Sequence, residues 1–198
     1  MSRNSTGRGE EKSYTRKLYE EYAYVLDKLP HGRPGAPRYS YGRGIIQLVG
    51  ETYFTLLEAT PKRDAEIDIG ERLYVGRIGR TKVDHILGRI SYDELTATAK
   101  AELPGIIERI IKANEKRFIE FFNRSQPVTP KMHALELIPG IGKKLMWQIL
   151  EERERRPFES FEDLQSRVNI PDPVKLLTRR ILRELSEDEK YLLFTRPA

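Results

Sequence analysis

The chain has 198 residues, 38% hydrophobic and 33% charged, with 35 Lys and Arg against 30 Asp and Glu for a formal net charge of +5. It contains no cysteine, which excludes disulfides, thiolate metal sites and a cysteine nucleophile together. A mean hydropathy of -0.59 and the lack of any apolar run of membrane-spanning length point to a globular chain with room for one or two small cores.

Residues 1–20 have no apolar centre of the signal-peptide kind, so a cytoplasmic location is expected. The basic excess suits polyanionic partners. It suits equally a thermostable surface covered in ion pairs, and composition does not choose between them.

Residues 1–19, opening MSRNSTGRGEEKSYT, are small, polar and charged and read as a flexible tail. Between Tyr22 and about Ser91 the pattern is that of strands. Tyr22, Tyr24 and Leu26 alternate with Ala23, Val25 and Asp27, and the segment ends at Pro30–Gly32. The apolar runs Gly44–Val49 and Tyr53–Ala59 flank Gly50-Glu51-Thr52, a hairpin signal. Arg72–Ile78 and Val83–Ile90 complete five short strands, a number that fits a small barrel better than a sandwich.

Helices follow. Leu95–Leu103 is short and amphipathic and is expected to stop at Pro104-Gly105. Ile106, Ile107, Ile110, Ile111, Phe118, Ile119 and Phe122 keep helical spacing, which predicts one helix over 106–122. Asn123–Thr129 reads as a linker. Beyond it, Thr129-Pro130 and Asp172-Pro173 each set an N-cap oxygen before a proline at the first helical position. Ser160 with Asp163, and Ser186 with Glu189, have capping-box spacing. The helices predicted from these signals lie near 130–138, 143–155, 161–167 and 173–184.

The most informative segment is Leu137-Ile138-Pro139-Gly140-Ile141-Gly142-Lys143-Lys144. A helix stops at the proline, turns through two glycines and restarts with two lysines. At the restart, unpaired amides and the helix dipole favour an anion, such as one phosphate group. Tight helix packing is the competing explanation for the two glycines. The segment resembles the helix-hairpin-helix motif, and Arg156–Leu164 resembles the connector between the halves of a tandem helix-hairpin-helix domain. That resemblance implies backbone-phosphate contact through Gly140, Ile141, Gly142, Lys143 and Lys144. At the second hairpin stands Asn169-Ile170-Pro171-Asp172-Pro173, where two prolines remove donors and a carboxylate replaces the anion. It is expected to be structural only.

Further strings, Glu21–Asp27, Tyr53–Glu58, Phe121-Phe122-Asn123 and Tyr191–Phe194, resemble an uncharacterised archaeal protein family. The resemblance implies an α+β chain of two domains: an OB-like β-barrel with packing helices over residues 20–122, then an all-α tandem helix-hairpin-helix domain over 129–198. It implies a nucleic-acid- or nucleotide-binding role, and OB-like barrels bind single strands with aromatic platforms and basic loops. Arg38, Tyr39, Tyr41 and Arg43 on one loop, and Arg77, Arg80 and Lys82 around another, are the matching candidates. Solvated charge and tyrosines covering the barrel mouth are the plainer reading of the same residues.

The sequence therefore predicts a protein that contacts DNA or RNA phosphates without reading bases. A protein-interaction adaptor in a translation or repair complex is the alternative, and a DNA-repair enzyme a weaker one. No cofactor or metal is expected. Asp64, Glu66 and Asp68 have the alternation that would share a strand face, but they read as exposed charges beside Lys62 and Arg63. His31, His85 and His133 lack ligand spacing. Asp163, at about the distance of a glycosylase carboxylate from the hairpin, reads as a helix cap.

Overall fold

The computed structural model describes residues 19–33, 35 and 42–196. The segment 1–18 expected as a tail, and the candidates Arg38, Tyr39 and Tyr41, lie outside the described residues. The fold is α+β. Five strands, β1 (Tyr22–Leu29), β2 (Ile45–Gly50), β3 (Leu56–Pro61), β4 (Arg72–Tyr74) and β5 (Val83–Arg89), form one antiparallel sheet in the order β4-β1-β2-β3-β5. The sheet curls into a half-barrel, with β4 and β5 as its two edges.

Both faces of the central strands are dry, which explains why β1 and β2 read as nearly continuous apolar runs, whereas β4 and β5 at the edges are partly exposed. Ala23, Val25, Ile46, Leu48, Leu57 and Ala59 enclose a small cluster with Ile67 and Leu73. Tyr24, Leu26, Val49 and Leu56 face the helices. Strand β3 begins at Leu56 rather than Tyr53 because the preceding turn is held differently. The buried Glu20 carboxylate accepts the amides of Thr52 and Tyr53, each at 2.9 Å, and of Thr55 at 3.1 Å. Phe54 adopts φ +53 there, a strained conformation for a bulky residue. Its ring is fully buried and lies 6.4 Å from Phe118, which holds it in place. Strand β4 ends at Tyr74, short of Ile78, because Gly79 at φ +83 and a hydrogen bond of 2.6 Å from Arg80 Nε to the Gly76 carbonyl fold 76–80 into a loop tip.

The helices differ from the predicted ones at one instructive place. Helix α1 (Ala97–Ala113) runs straight through Pro104-Gly105, and the break falls at Asn114 before α2 (Glu115–Arg124). An interior proline costs about 3 kcal/mol. Against that, Leu103, Ile106, Ile107, Ile110 and Ile111 are all buried, each contributing about 1.5–3 kcal/mol. Burial wins, and the Thr96 hydroxyl starts the helix by accepting the Ala99 amide at 3.0 Å.

The predicted linker and the helix at 130–138 are also corrected. Pro127–Thr129 (β6) and Met132–His133 (β7) form a small hairpin, followed by a single 3-10 turn over Ala134–Leu137. Thr129 lies in that hairpin and caps no helix. His133 starts the 3-10 turn instead, its Nδ1 accepting the Leu135 amide at 3.1 Å. The helices α3 (Lys143–Arg155), α4 (Phe161–Arg167) and α5 (Pro173–Ser186) follow as predicted. Ser160 caps α4 through the Asp163 amide, at 3.0 Å. Ser186 is no N-cap, since it is the last residue of α5 and its hydroxyl donates to the Leu182 carbonyl.

One apolar cluster joins Tyr24 and Phe54 of the sheet side, α1, α2, α3, α5 and the terminal Phe194. It passes across the boundary drawn at residues 123–129. A buried polar clamp secures the chain end to it: Arg180 and Glu184 of α5, 1% and 7% exposed, pair at 2.8 Å. Glu184 also accepts the amides of Leu193, Phe194 and Thr195, and Arg180 reaches the Leu137 carbonyl at 3.2 Å.

Candidate functional site

The turn between the 3-10 segment and α3 is anchored from below and open above. Ile141 is 3% exposed and its amide donates to the Ile138 carbonyl at 3.0 Å, so its side chain is core and its donor is already used. Gly140 has φ +100, and a Cβ there would stand 3.0 Å from Leu176 of α5. The positive φ is what calls for glycine at that position, and any Cβ there would also press on the Leu176 methyl. Gly142 is different. Its φ of −84 suits any residue, and a Cβ would meet nothing within 4 Å. It is the N-cap of α3, yet contributes no side chain to cap it.

The consequence is a helix start whose donors stay open. Among the described residues, the amides of Gly140, Gly142, Lys143 and Lys144 meet no acceptor, and neither Lys143 nor Lys144 has an ion-pair partner. Both lysines are exposed. Cations in a first turn oppose the helix dipole, so the two lysines are not placed there for the stability of α3.

The second turn offers the contrast. At the start of α5 the Asp172 carboxylate accepts the Val174 amide at 3.0 Å and the Lys175 amide at 3.3 Å. That helix supplies its own anion. Asp163 is likewise employed: burial raises its pKa, but hydrogen bonds from the Glu159 amide and from Arg167 hold the carboxyl below the usual carboxylate range. It acts as a structural acceptor between the connector and α4.

On the half-barrel, the predicted basic residues come close together but are mostly occupied. Arg80 donates to the Gly76 and Asp84 carbonyls, and Lys82 to Glu71 Oε1 and the Glu66 carbonyl at 2.6 and 2.7 Å. Arg43 pairs with Asp84, whose carboxyl is held below its ordinary range by the His85 ring and then by Arg43. Arg77 is exposed and lies over the Tyr19 ring at 4.4 Å. Asp64, Glu66 and Asp68 occupy a loop rather than a strand, and no metal-ligand cluster occurs among the described residues. His133 is buried, and burial, followed by the nearby Arg153 guanidinium, pushes its imidazole pKa down.

The two most exposed large apolar side chains among the described residues escape the sequence reading. Ile78 is 85% exposed at the tip of the β4–β5 loop, within Gly76-Arg77-Ile78-Gly79-Arg80. Trp147 is 64% exposed on α3, one turn beyond the lysines. The signal for the first was an isoleucine between arginines and glycines. For the second it was the four-residue spacing from Lys143 to the only tryptophan.

No helix among the described residues is long and apolar enough to cross a membrane. The uncharacterized protein MJ0038 of Methanocaldococcus jannaschii is 45% identical over 180 residues, spanning 90% of this chain and 81% of that protein. The crystal structure of Af1531 from Archaeoglobus fulgidus, a DUF655 family structure, matches with a TM-score of 0.80 at 46% identity, covering 89% of this chain and 100% of that one. A family model described as "Protein of unknown function (DUF655)" matches residues 19–196. By that span and by both relatives, the chain belongs to the DUF655 family.

Proposed function

We propose that this protein binds nucleic acid through its backbone phosphates, with the start of α3 as the principal contact. The C-terminal half acts in this reading as a tandem helix-hairpin-helix unit whose first helix is reduced to the 3-10 turn Ala134–Leu137 and in which only the first hairpin binds. The observation that carries it is the inequality of two otherwise similar helix starts. The α5 amides are capped by the chain's own Asp172, whereas the α3 amides are left open beside Lys143 and Lys144. A phosphate would accept from those amides and relieve the repulsion between the lysines and the helix dipole. Contacts of this kind position a strand without reading its bases.

The half-barrel, read as OB-like, provides a second and weaker surface at the β4–β5 loop. There Arg77 and Ile78 are exposed while Arg80 and Lys82 hold the loop in shape. The function proposed is binding, and no residue is assigned a catalytic role. A protein-interaction adaptor is the second reading, favoured by the apolar exposure of Ile78 and Trp147.

The test is Lys143→Glu with Lys144→Glu in the full chain. Glutamates suit a first helical turn, so the fold is retained. Fluorescence anisotropy with labelled DNA and RNA at two salt concentrations should show weaker binding. The log–log salt slope should fall by about one for every phosphate no longer neutralised. Unchanged affinity and unchanged slope would assign the hairpin a purely structural role.

A further inference from the structure

The only tryptophan in the chain stands in water at a place where the fold has no use for it. Helix α3 buries Met146 and Ile149, and its opposite face carries Lys143, Lys144, Trp147 and Gln148. Any good helix former would serve the fold at position 147. The indole instead borders a groove of about 370 Å³ whose lining carries Leu150 and Arg153 together with the carboxylates Glu151 and Glu154, so an anionic strand is favoured only on the lysine side of the ring. Large aromatic surface kept in water on a rigid helix is the composition of a contact residue.

Its position relative to the lysines narrows the ligand. Lys143 and Trp147 are four residues apart on one helix, so they share a face with their Cβ atoms about 5–6 Å apart. A phosphate seated on the α3 amides would bring the base of its own nucleotide within reach of the indole face. Base faces in a duplex are already covered by neighbouring bases, and uncovering one costs the stacking and pairing energy that held it. An unpaired strand offers its bases freely, and every base has a face on which an aromatic ring can stack.

Charge along α3 sets the limit of the contact. Past Trp147 the helix carries Glu151, Glu152 and Glu154, with Arg155 pairing to Glu151 at 2.5 Å and to Glu152 at 2.7 Å. A polyanion is favoured at the lysine end and gains nothing beyond the indole.

We propose that Trp147 is a stacking platform for an unpaired nucleobase, which makes the α3 hairpin a site for single-stranded rather than duplex nucleic acid. This rests on the proposed phosphate contact at the α3 amides and adds the strandedness of the ligand. The test uses the full chain with oligothymidylate and oligouridylate of about ten nucleotides, a duplex of equal length, and the variants Trp147→Ala, Trp147→Phe and the Lys143/Lys144 double glutamate. Because the protein has a single tryptophan, its intrinsic indole fluorescence reports on this site alone. The single strands should quench that fluorescence. Trp147→Ala should lose roughly 5- to 100-fold in affinity for them, Trp147→Phe should lose less, and duplex affinity should not change between wild type and Trp147→Ala. Single-strand binding that the double glutamate weakens but Trp147→Ala leaves intact, without quenching, overturns the stacking proposal and retains the phosphate site. Binding indifferent to both changes overturns both. Equal losses for duplex and single strand on Trp147→Ala also refute the proposal, as does a groove occupied by a protein partner while oligonucleotide binding is untouched by substitution at 147.

Discussion

Gly142→Asp separates the folding role of the α3 start from its binding role, because the two should move in opposite directions. Gly142 sits at φ −84, ψ 175, an extended conformation open to every residue, and the space around its missing Cβ is empty. An aspartate there introduces no strain. It would cap α3 as Asp172 caps α5, where one carboxylate oxygen takes two amides at 3.0 and 3.3 Å. Aspartate exceeds glycine as an N-cap by a few tenths of a kcal/mol, and a negative charge in the first turn adds about 0.3–1 kcal/mol. Removing a glycine also restricts the unfolded chain, worth about 0.4–1 kcal/mol. The sum is roughly 1–2 kcal/mol of added stability, which for a chain of this size raises Tm by about 2–8 °C. By the same geometry the carboxylate would take the Lys144 amide, one of the donors assigned to phosphate, and its charge would repel the ligand from the rest. Losing charge-assisted hydrogen bonds of about 1.5–3 kcal/mol predicts affinity lower by roughly 10- to 100-fold. Thermal unfolding and anisotropy titration on the same preparation give both numbers. A more stable protein with undiminished affinity would show that no phosphate sits on the α3 amides. A less stable one would show that Gly142 is needed for its conformation, against the geometry described.

Two further outcomes follow from buried polar groups. Glu184→Gln should destabilise by about 3–5 kcal/mol, since it leaves the 1%-exposed Arg180 without its closest carboxylate and weakens the hold on the 193–195 amides; denaturant unfolding within about 1 kcal/mol of wild type would refute the clamp. His133 has a folded pKa below its unfolded value through burial and the nearby Arg153 charge, so its neutral form is the one the fold accepts. Its contribution is present above the unfolded pKa and lost as pH falls through the folded one. His133→Asn keeps an acceptor for the Leu135 amide, and the wild type should lose more stability than this variant between about pH 7.5 and 5.5; equal losses would remove His133 from the acid response.

The sequence by itself determined those features whose causes lie within a few residues. Alternation in the first strand, and apolar runs set off by turn residues in the others, located the five strands, and Ser160 and Asp172 placed the starts of α4 and α5 because a cap acts on amides two or three residues away. The inequality of the two turns was legible for the same reason, since proline lacks a donor and aspartate carries its own anion wherever they occur. Where a distant partner decides, local rules failed. Pro104 should have ended a helix, but burial of Leu103 to Ile111 against the rest of the core outweighed it. Arg80 and Lys82 looked like free cations until the fold brought carbonyls and a carboxylate to them. Nothing local sets Arg180 apart from the other charges of an amphipathic helix, yet the returning chain end encloses it. The spacing from Lys143 put Trp147 on the lysine face of α3, but that this face meets water was settled by where Met146 and Ile149 found apolar neighbours. Local chemistry is written into the chain at short range. Which charges remain free and which apolar surface stays exposed is decided by contacts between residues far apart in sequence, and so only by the tertiary structure.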